Sequence, residues 1–390
     1  MKHLITALIA TAIAFSASAK LEGDGYYRVQ NAKTERYIYV LDDKGELNFQ
    51  ATTAELGAIE LWMGYDKTVS DPATIIYVKS LDNKGQNFDL QTQGTGVNAI
   101  INYPVTIYFD KRSQNYSIYG RNSGIVRYIG DATKFASEQG WVTCIGNTEY
   151  FRWHFHPLTT DESNYFGITP EFKQGADHYA TLYADFPFDF HSEGMTAYYV
   201  SSVENGTAYI KEINGTVAKG TPVIIKCSSA VPSSNKLSLG GNGSAVAGNM
   251  LKGVYFNNND LVHKNRTPND KATMRVLGRL SDGSIGFVTS NEQYLARNKA
   301  YLVVPAGTPA ELKMEIASNA AIGTVTSDAV TISINGLELR VDGAEDAVVY
   351  NITGQLISRS ANANSHAISL PAPGIYIVKA GGKVAKLIAR

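Results

Sequence analysis

His154 and His156 stand two apart in Arg152-Trp153-His154-Phe155-His156, a stretch whose apolar residues alternate. In an extended chain alternate side chains share a face, so both imidazoles would point the same way. Two imidazoles can begin a metal site, but zinc asks for three or four ligands and nothing near in sequence supplies the rest. The pair therefore reads as surface or partly buried, and no metal is assigned. Asp185 and Asp189 bracket Phe186-Pro187-Phe188. Paired carboxylates hydrolyse glycosides when they face each other across a cleft from different elements. These two lie in one short segment, so no catalytic role is given to them. Asp42-Asp43-Lys44-Gly45 and Asn257-Asn258-Asn259-Asp260 lack the alternating oxygens and closing Glu of a calcium loop and read as turns.

Other reaction signatures are missing. The chain has no His-Glu-x-x-His, no phosphate-cradling Gly-x-x-x-x-Gly-Lys-Ser/Thr and no Gly-x-Ser-x-Gly elbow. Gly240-Gly241-Asn242-Gly243-Ser244 is Gly-rich, but neither a Lys nor a helix follows it. Cys144 and Cys227 are the 2 cysteines. An oxidising compartment would permit a bond between them, but two thiols make no disulfide framework; they read as buried small hydrophobes, and their pairing stays open. No catalytic residue and no cofactor is assigned, so a non-enzyme is expected. The signal that remains is aromatic. Sugar binders set Trp and Tyr faces against pyranose rings beside a few polar groups. Trp141, after Glu138-Gln139-Gly140, sits in a loop-like context and is the candidate ligand contact. Trp62 and Trp153 each close a strand-like stretch and are expected in the core.

What positions such residues is sheet. The chain has 390 residues, enough for two or three domains. Lys+Arg 35 against Asp+Glu 36 leaves a formal net charge of -1, with no long run of either sign. That argues against a nucleic-acid or anionic-membrane binder, which needs clustered positive charge. Gly 35, Tyr 23 and Phe 14, with 18% charged residues, point to strands joined by tight turns and an all-β fold. Tyr27-Arg28-Val29-Gln30 and Tyr37-Ile38-Tyr39-Val40 flank a polar turn and read as a hairpin. Ile75 to Val78 with Asn87 to Leu90, and Tyr116 to Tyr119 with Ile125 to Ile129, repeat the unit at spacings of roughly 40–50 residues. Three such units resemble a ricin-type β-trefoil over residues 24–160, opening at Tyr27-Arg28-Val29-Gln30-Asn31 and closing at Trp153-His154-Phe155-His156-Pro157. The resemblance implies a lectin-like β-trefoil domain over 20–165. The Gln-x-Trp motif of that family is absent, so its usual sugar pockets are not expected here.

After a polar stretch from Thr159 to Asn164 a second block runs over 174–317. Asn205-Gly206 and Asn214-Gly215 each predict a two-residue hairpin turn, and Asp282-Gly283 predicts one more hairpin. HYATLYADFPF, GMTAYYVSSVENG, AKGTPVIIK and NKAYLVVPAG resemble a β-sandwich module common in secreted Bacteroidetes proteins. Residues 318–329 are small and polar and read as a linker. Beyond it, Val348-Val349-Tyr350-Asn351-Ile352-Thr353-Gly354 and Pro373-Gly374-Ile375-Tyr376-Ile377-Val378, with a Lys-containing last strand, resemble the C-terminal sorting domain of the type IX (Por) secretion system. That resemblance implies an Ig-like β-sandwich over 330–390, which engages the secretion machinery for delivery across the outer membrane. At the other end Lys2-His3, apolar Leu4 to Phe15 and Ala17-Ser18-Ala19 form a signal peptide over 1–19. No later run of about 18 apolar residues exists, so no membrane-spanning segment is expected.

The sequence thus supports a non-catalytic exported protein, secreted or on the outer-membrane surface, with the periplasm as a further compartment, that binds glycans through its N-terminal module. The alternative is an adhesin or structural surface component that contacts a host or cell-surface protein. Third comes a divergent hydrolase with a site built across domains.

Overall fold

The computed structural model describes residues 21, 24–40, 54–59, 68–91, 105–122, 125–131, 141–145, 149–259, 264–317, 324–326, 330–381 and 383–389. The expected signal peptide, Asp42 to Gly45 and Trp62 lie outside them. Among the described residues the protein is all-β, with helix confined to short turns. Chain contacts divide it into two compact units, Met1–Met314 and Glu315–Arg390.

Ten strands open the first unit: β1 (Gly25–Asn31), β2 (Tyr37–Val40), β3 (Ala54–Ile59), β4 (Ile76–Ser80), β5 (Asn87–Gln91), β6 (Val105–Asp110), β7 (Asn115–Asn122), β8 (Ile125–Asp131), β9 (Trp141–Ile145) and β10 (Arg152–Pro157). Six of them close on themselves in the ring β1-β4-β5-β6-β7-β10, every neighbour antiparallel. Closure removes the free edges that an open sheet would expose. The pairs β2–β3 and β8–β9 lie outside the ring and join through β3–β9. Strict period two fills the ring. Val29, Ile76, Val78, Phe88, Ile118, Trp153 and Phe155 are all buried in one cluster. Trp153, fully buried, donates its indole N–H to the carbonyl of Ile129 at 2.8 Å. Fully burying a side chain of this kind contributes roughly 1.5–3 kcal/mol.

The expected hairpin of Tyr27 to Gln30 with Tyr37 to Val40 reduces to one pair, Gln30 with Tyr37. β1 spends its ladder instead on β10, five pairs, and on β4, three pairs. Barrel closure outbids the local turn because each partner covers more of the strand.

The unit continues through β11 (Phe166–Gly167), β12 (Phe172–Gln174), β13 (Asp177–Leu182), β14 (Phe188–Phe190), β15 (Thr196–Glu204), β16 (Thr207–Glu212), β17 (Val223–Cys227), β18 (Lys236–Leu239), β19 (Leu251–Val254), β20 (Asn258–Asn259), β21 (Lys264–Asn265), β22 (Met274–Arg279), β23 (Ile285–Val288), β24 (Lys299–Val303) and β25 (Glu311–Ile316). A curled ten-stranded sheet runs β12-β13-β17-β15-β16-β25-β23-β22-β24-β19, and a separate small sheet β11-β18-β14 packs on it through Phe166, Phe188 and Leu237. Asn205 and Gly206, both at positive φ, make the turn of the β15–β16 hairpin as expected. Asp282-Gly283 likewise joins β22 to β23. Asn214-Gly215 does not make a hairpin. Gly215 has positive φ, but the chain leaves β16 for a bridge between Val217 and Phe188. Asn258–Asn259 pairs with Lys264–Asn265 instead of forming the plain turn expected there.

The second unit holds β26 (Thr324–Thr326), β27 (Thr331–Asn335), β28 (Glu338–Asp342), β29 (Asp346–Asn351), β30 (Leu356–Ala361), β31 (Ser365–Ser369), β32 (Gly374–Ala380) and β33 (Lys383–Ala389). They form two four-stranded antiparallel sheets, β26-β27-β28-β31 and β30-β29-β32-β33, around one apolar cluster. Thr324–Thr326, inside the stretch read as linker, is therefore a strand of this unit. Thr353-Gly354 turns β29 into β30, with Asn351 Oδ1 accepting from the Thr353 and Gln355 N–H groups.

Candidate functional site at the barrel seam

The outward face of β1 decides where chemistry can sit. Tyr27 and Val29 point into the barrel, so Tyr26, Arg28 and Gln30 point out, the first two toward the segment that follows β10 and Gln30 toward His156 of β10. Each of the three meets a different partner.

Arg28 is fully buried. Its Nε donates to Thr74 Oγ1 at 2.9 Å, and Nη1 to Asn164 Oδ1 at 2.9 Å and the Tyr165 carbonyl at 2.8 Å. Nη2 donates to the carbonyls of Thr68 and Val69 at 3.3 and 3.2 Å. A planar guanidinium can satisfy five acceptors at once, which an ammonium cannot. Asn164 in turn donates to the carbonyls of His156 and Pro157 at 2.9 and 2.7 Å. The polar stretch Thr159 to Asn164 is thus a cross-linked joint between barrel and sheet. Arg297 adds an ion pair to Asp71 at 2.6 Å, and Ser70 meets Thr169 at 2.7 Å.

Beside this joint lies a pocket of about 480 Å³. Its wall begins with Tyr26 and Tyr77, directly opposed in the β1–β4 ladder with ring centroids 4.8 Å apart. Asp24 binds the rim: Oδ1 accepts the Ser80 N–H at 2.7 Å and Oδ2 accepts the Tyr77 hydroxyl at 3.1 Å. Thr159, Thr160, Asp161 and Ser238 bring further oxygens, over an apolar floor that includes Phe166 and Leu237. Burial, the neighbouring Tyr77 and Asp185 push the Tyr26 phenol up to about 12. Burial, the Asp24 charge and its hydrogen bond also raise Tyr77. Both rings therefore stay neutral phenols at physiological pH. Flat apolar faces, hydroxyls and a carboxylate suit a hydroxylated ring.

The sequence-derived candidates fall elsewhere. Trp141 opens strand β9 opposite Gly57 rather than lying in a loop, and its side chain lies outside the described residues. His154 and His156 do share the outward face of β10, with ring centroids 6.0 Å apart. His156 Nε2 meets Gln30 Oε1 at 2.9 Å; burial, His154 and Arg28 push the imidazole down to about 4. Among the described residues no group of three or more His, Cys, Asp and Glu is placed to hold a metal. Asp185 takes the Tyr255 hydroxyl at 3.4 Å, whereas Asp189 takes the Thr216 hydroxyl at 3.0 Å. The Gly-rich loop is structural: a Cβ on Gly243 would lie 2.4 Å from the Ala218 nitrogen. Cys227 is a free, buried thiol, and burial first, then Glu171, push it up to about 12. The Cys144 side chain lies outside the described residues. Among the described residues no helix is long and apolar enough to cross a membrane.

A second pocket on the same seam, about 350 Å³, contains the Arg297–Asp71 pair and Lys299. Lys299 is held by Glu171 at 3.1 Å. Each cation thus has a carboxylate partner, while Arg297 Nη1 is buried without a hydrogen bond.

Reasoning from sequence missed Tyr26 and Tyr77, which read as ordinary strand aromatics. The signal was present in one feature only: aromatic residues at non-core phase in two strands. Recognising it requires knowing that β1 and β4 pair. No protein-family model matches the chain, and no curated protein matches it.

Proposed function

We propose that this chain is an exported, non-catalytic glycan-binding protein whose ligand occupies the seam pocket. The observation that carries the reading is the opposed Tyr26–Tyr77 pair with the hydrogen-bonded Asp24 carboxylate beside it. Such a set offers a sugar ring two aromatic faces and a hydrogen-bonding carboxylate. The closed six-strand ring supports the resemblance to the ricin-type β-trefoil. Hairpins enter it between its first and second and between its fifth and sixth strands in chain order; the interval between the third and fourth, residues 92–104, lies outside the described residues. Export rests on the apolar Leu4 to Phe15 run with Ala17-Ser18-Ala19, and on the likeness of residues 330–390 to the type IX sorting domain, which would contact the secretion machinery.

Binding of the full exported chain to a glycan array, followed by affinity electrophoresis, tests the reading. At least one glycan class is expected to bind, and Tyr77→Ala is expected to weaken it at least tenfold with the fold intact by circular dichroism. Loss on Trp141→Ala with no effect of Tyr77→Ala would move the site to β9. Capture of a surface protein with no glycan bound would establish the adhesin alternative instead.

A further inference from the structure

The pocket's acidic lining sets the charge of what it takes, an inference that rests on the glycan-binding reading above. Asp24 and Asp161 both line it, and among the described residues no Lys, Arg or His does. Tyr77 spends its proton on Asp24 Oδ2, so its oxygen turns lone pairs outward. Ser80 N–H occupies one lone pair of Asp24 Oδ1 and leaves the other for a ligand. Lys236 donates to the carbonyl of the lining residue Thr160 at 2.5 Å and lies over the Tyr165 ring. The polar rim therefore sets two carboxylates, which only accept, among hydroxyls that can donate or accept, and its field is negative.

We infer that the seam pocket selects glycans whose rings present hydroxyl or ammonium donors and rejects glycans that bear carboxylate or sulfate groups. A neutral pyranose places donors on the Asp24 and Asp161 oxygens while its apolar face covers Tyr26 or Tyr77. A protonated amino sugar gains an ion pair in addition. A uronic or sialic acid brings a third carboxylate among two others, with the Lys236 ammonium turned to the Thr160 carbonyl and no cation among the described lining residues, and like charges in a partly desolvated site repel strongly. The discrimination is built by repulsion as much as by attraction.

The test uses the full exported chain and three oligosaccharides of matched length: neutral chitin, cationic chitosan and anionic galacturonan fragments, beside the neutral and acidic sets of a glycan array. Acidic glycans are expected to bind at least tenfold more weakly than neutral ones. Chitosan binding is expected to fall as salt rises, by screening. Asp161→Lys, on an exposed rim residue, is expected to close or reverse the gap without lowering the unfolding midpoint. A gap that persists unchanged in Asp161→Lys, or acidic glycans that bind best in the wild type, overturns the inference while leaving the site in place. If Tyr77→Ala leaves every glycan bound as before, the site assignment itself fails and takes this inference with it.

Discussion

Arg28 Nη1 lies 2.9 Å from Asn164 Oδ1, joining residues 136 apart in the chain. One residue belongs to the first barrel strand and the other to the segment that leaves the last. The bond fixes the exit of the chain from the barrel, and the Tyr26–Tyr77 pocket opens next to it.

Removing Arg28 should therefore loosen the joint more than any surface change. Arg28→Met takes the donor from the carbonyls of Tyr165 and Val69 and from the Asn164 amide oxygen, while the Thr68 carbonyl keeps the Asp71 N–H. Each unsatisfied buried acceptor costs about 1–3 kcal/mol, so a loss of roughly 3 kcal/mol or more is expected. Arg28→Lys should restore little, since one ammonium cannot reach both sides of the fork. Urea unfolding midpoints of the two variants check this.

Arg36 and Asp131 make a second buried clasp. The Arg36 Nε donates to Asp131 Oδ2 at 2.9 Å, Nη2 meets Oδ1, and the Thr34 hydroxyl adds 2.6 Å to Oδ2. Asp131→Ala strands a nearly buried guanidinium and should cost about 3–5 kcal/mol. Arg36→Met with Asp131→Ala removes both charges and should recover part of that loss. A double-mutant cycle on the unfolding free energy measures the coupling. A cycle that closes to zero would show that the pair contributes nothing beyond packing.

His156 sets a pH window. Its folded value is about 4, below the ordinary value near 6.5 in the unfolded chain. A depressed value means that the fold prefers the neutral ring. The stabilisation is present in full above about pH 6.5 and drains away as pH falls toward about 4. Burial also lowers His154, in the same direction. Unfolding midpoints taken from pH 8 to pH 4 should fall across that window by about 1–3 kcal/mol equivalent. His156→Gln should flatten part of the slope.

These positions show what was legible beforehand. Alternation gave the all-β class, and it correctly placed His154 and His156 on one face of a strand. Trp153 was expected in the core and is there. Asn205-Gly206 and Asp282-Gly283 make their hairpins because positive φ is a local demand that Asn and Gly meet locally. At Asn214-Gly215 only Gly215 has positive φ and no hairpin forms; Val217 finds a non-local partner in Phe188. The pocket was illegible for the same reason. Tyr26 and Tyr77 come together only through the closing β1–β4 ladder, and period two says which face they share, not which strand they meet.

Gly253 offers the sharpest test of packing. A Cβ built there would lie 2.0 Å from Tyr183 Cγ, and the Tyr183 ring is stacked on Tyr255 with centroids 4.0 Å apart. The ring cannot retreat, because Tyr255 occupies the space that it would enter. Overpacking of this kind costs about 1–3 kcal/mol. Gly253→Ala should therefore lower the thermal midpoint, although alanine is the smallest addition possible. Pairing it with Tyr183→Leu removes the ring face and should return part of the loss. If Gly253→Ala alone unfolds at the wild-type midpoint, the stack is free to shift, and the tight approach of β19 to Tyr183 would have to be abandoned.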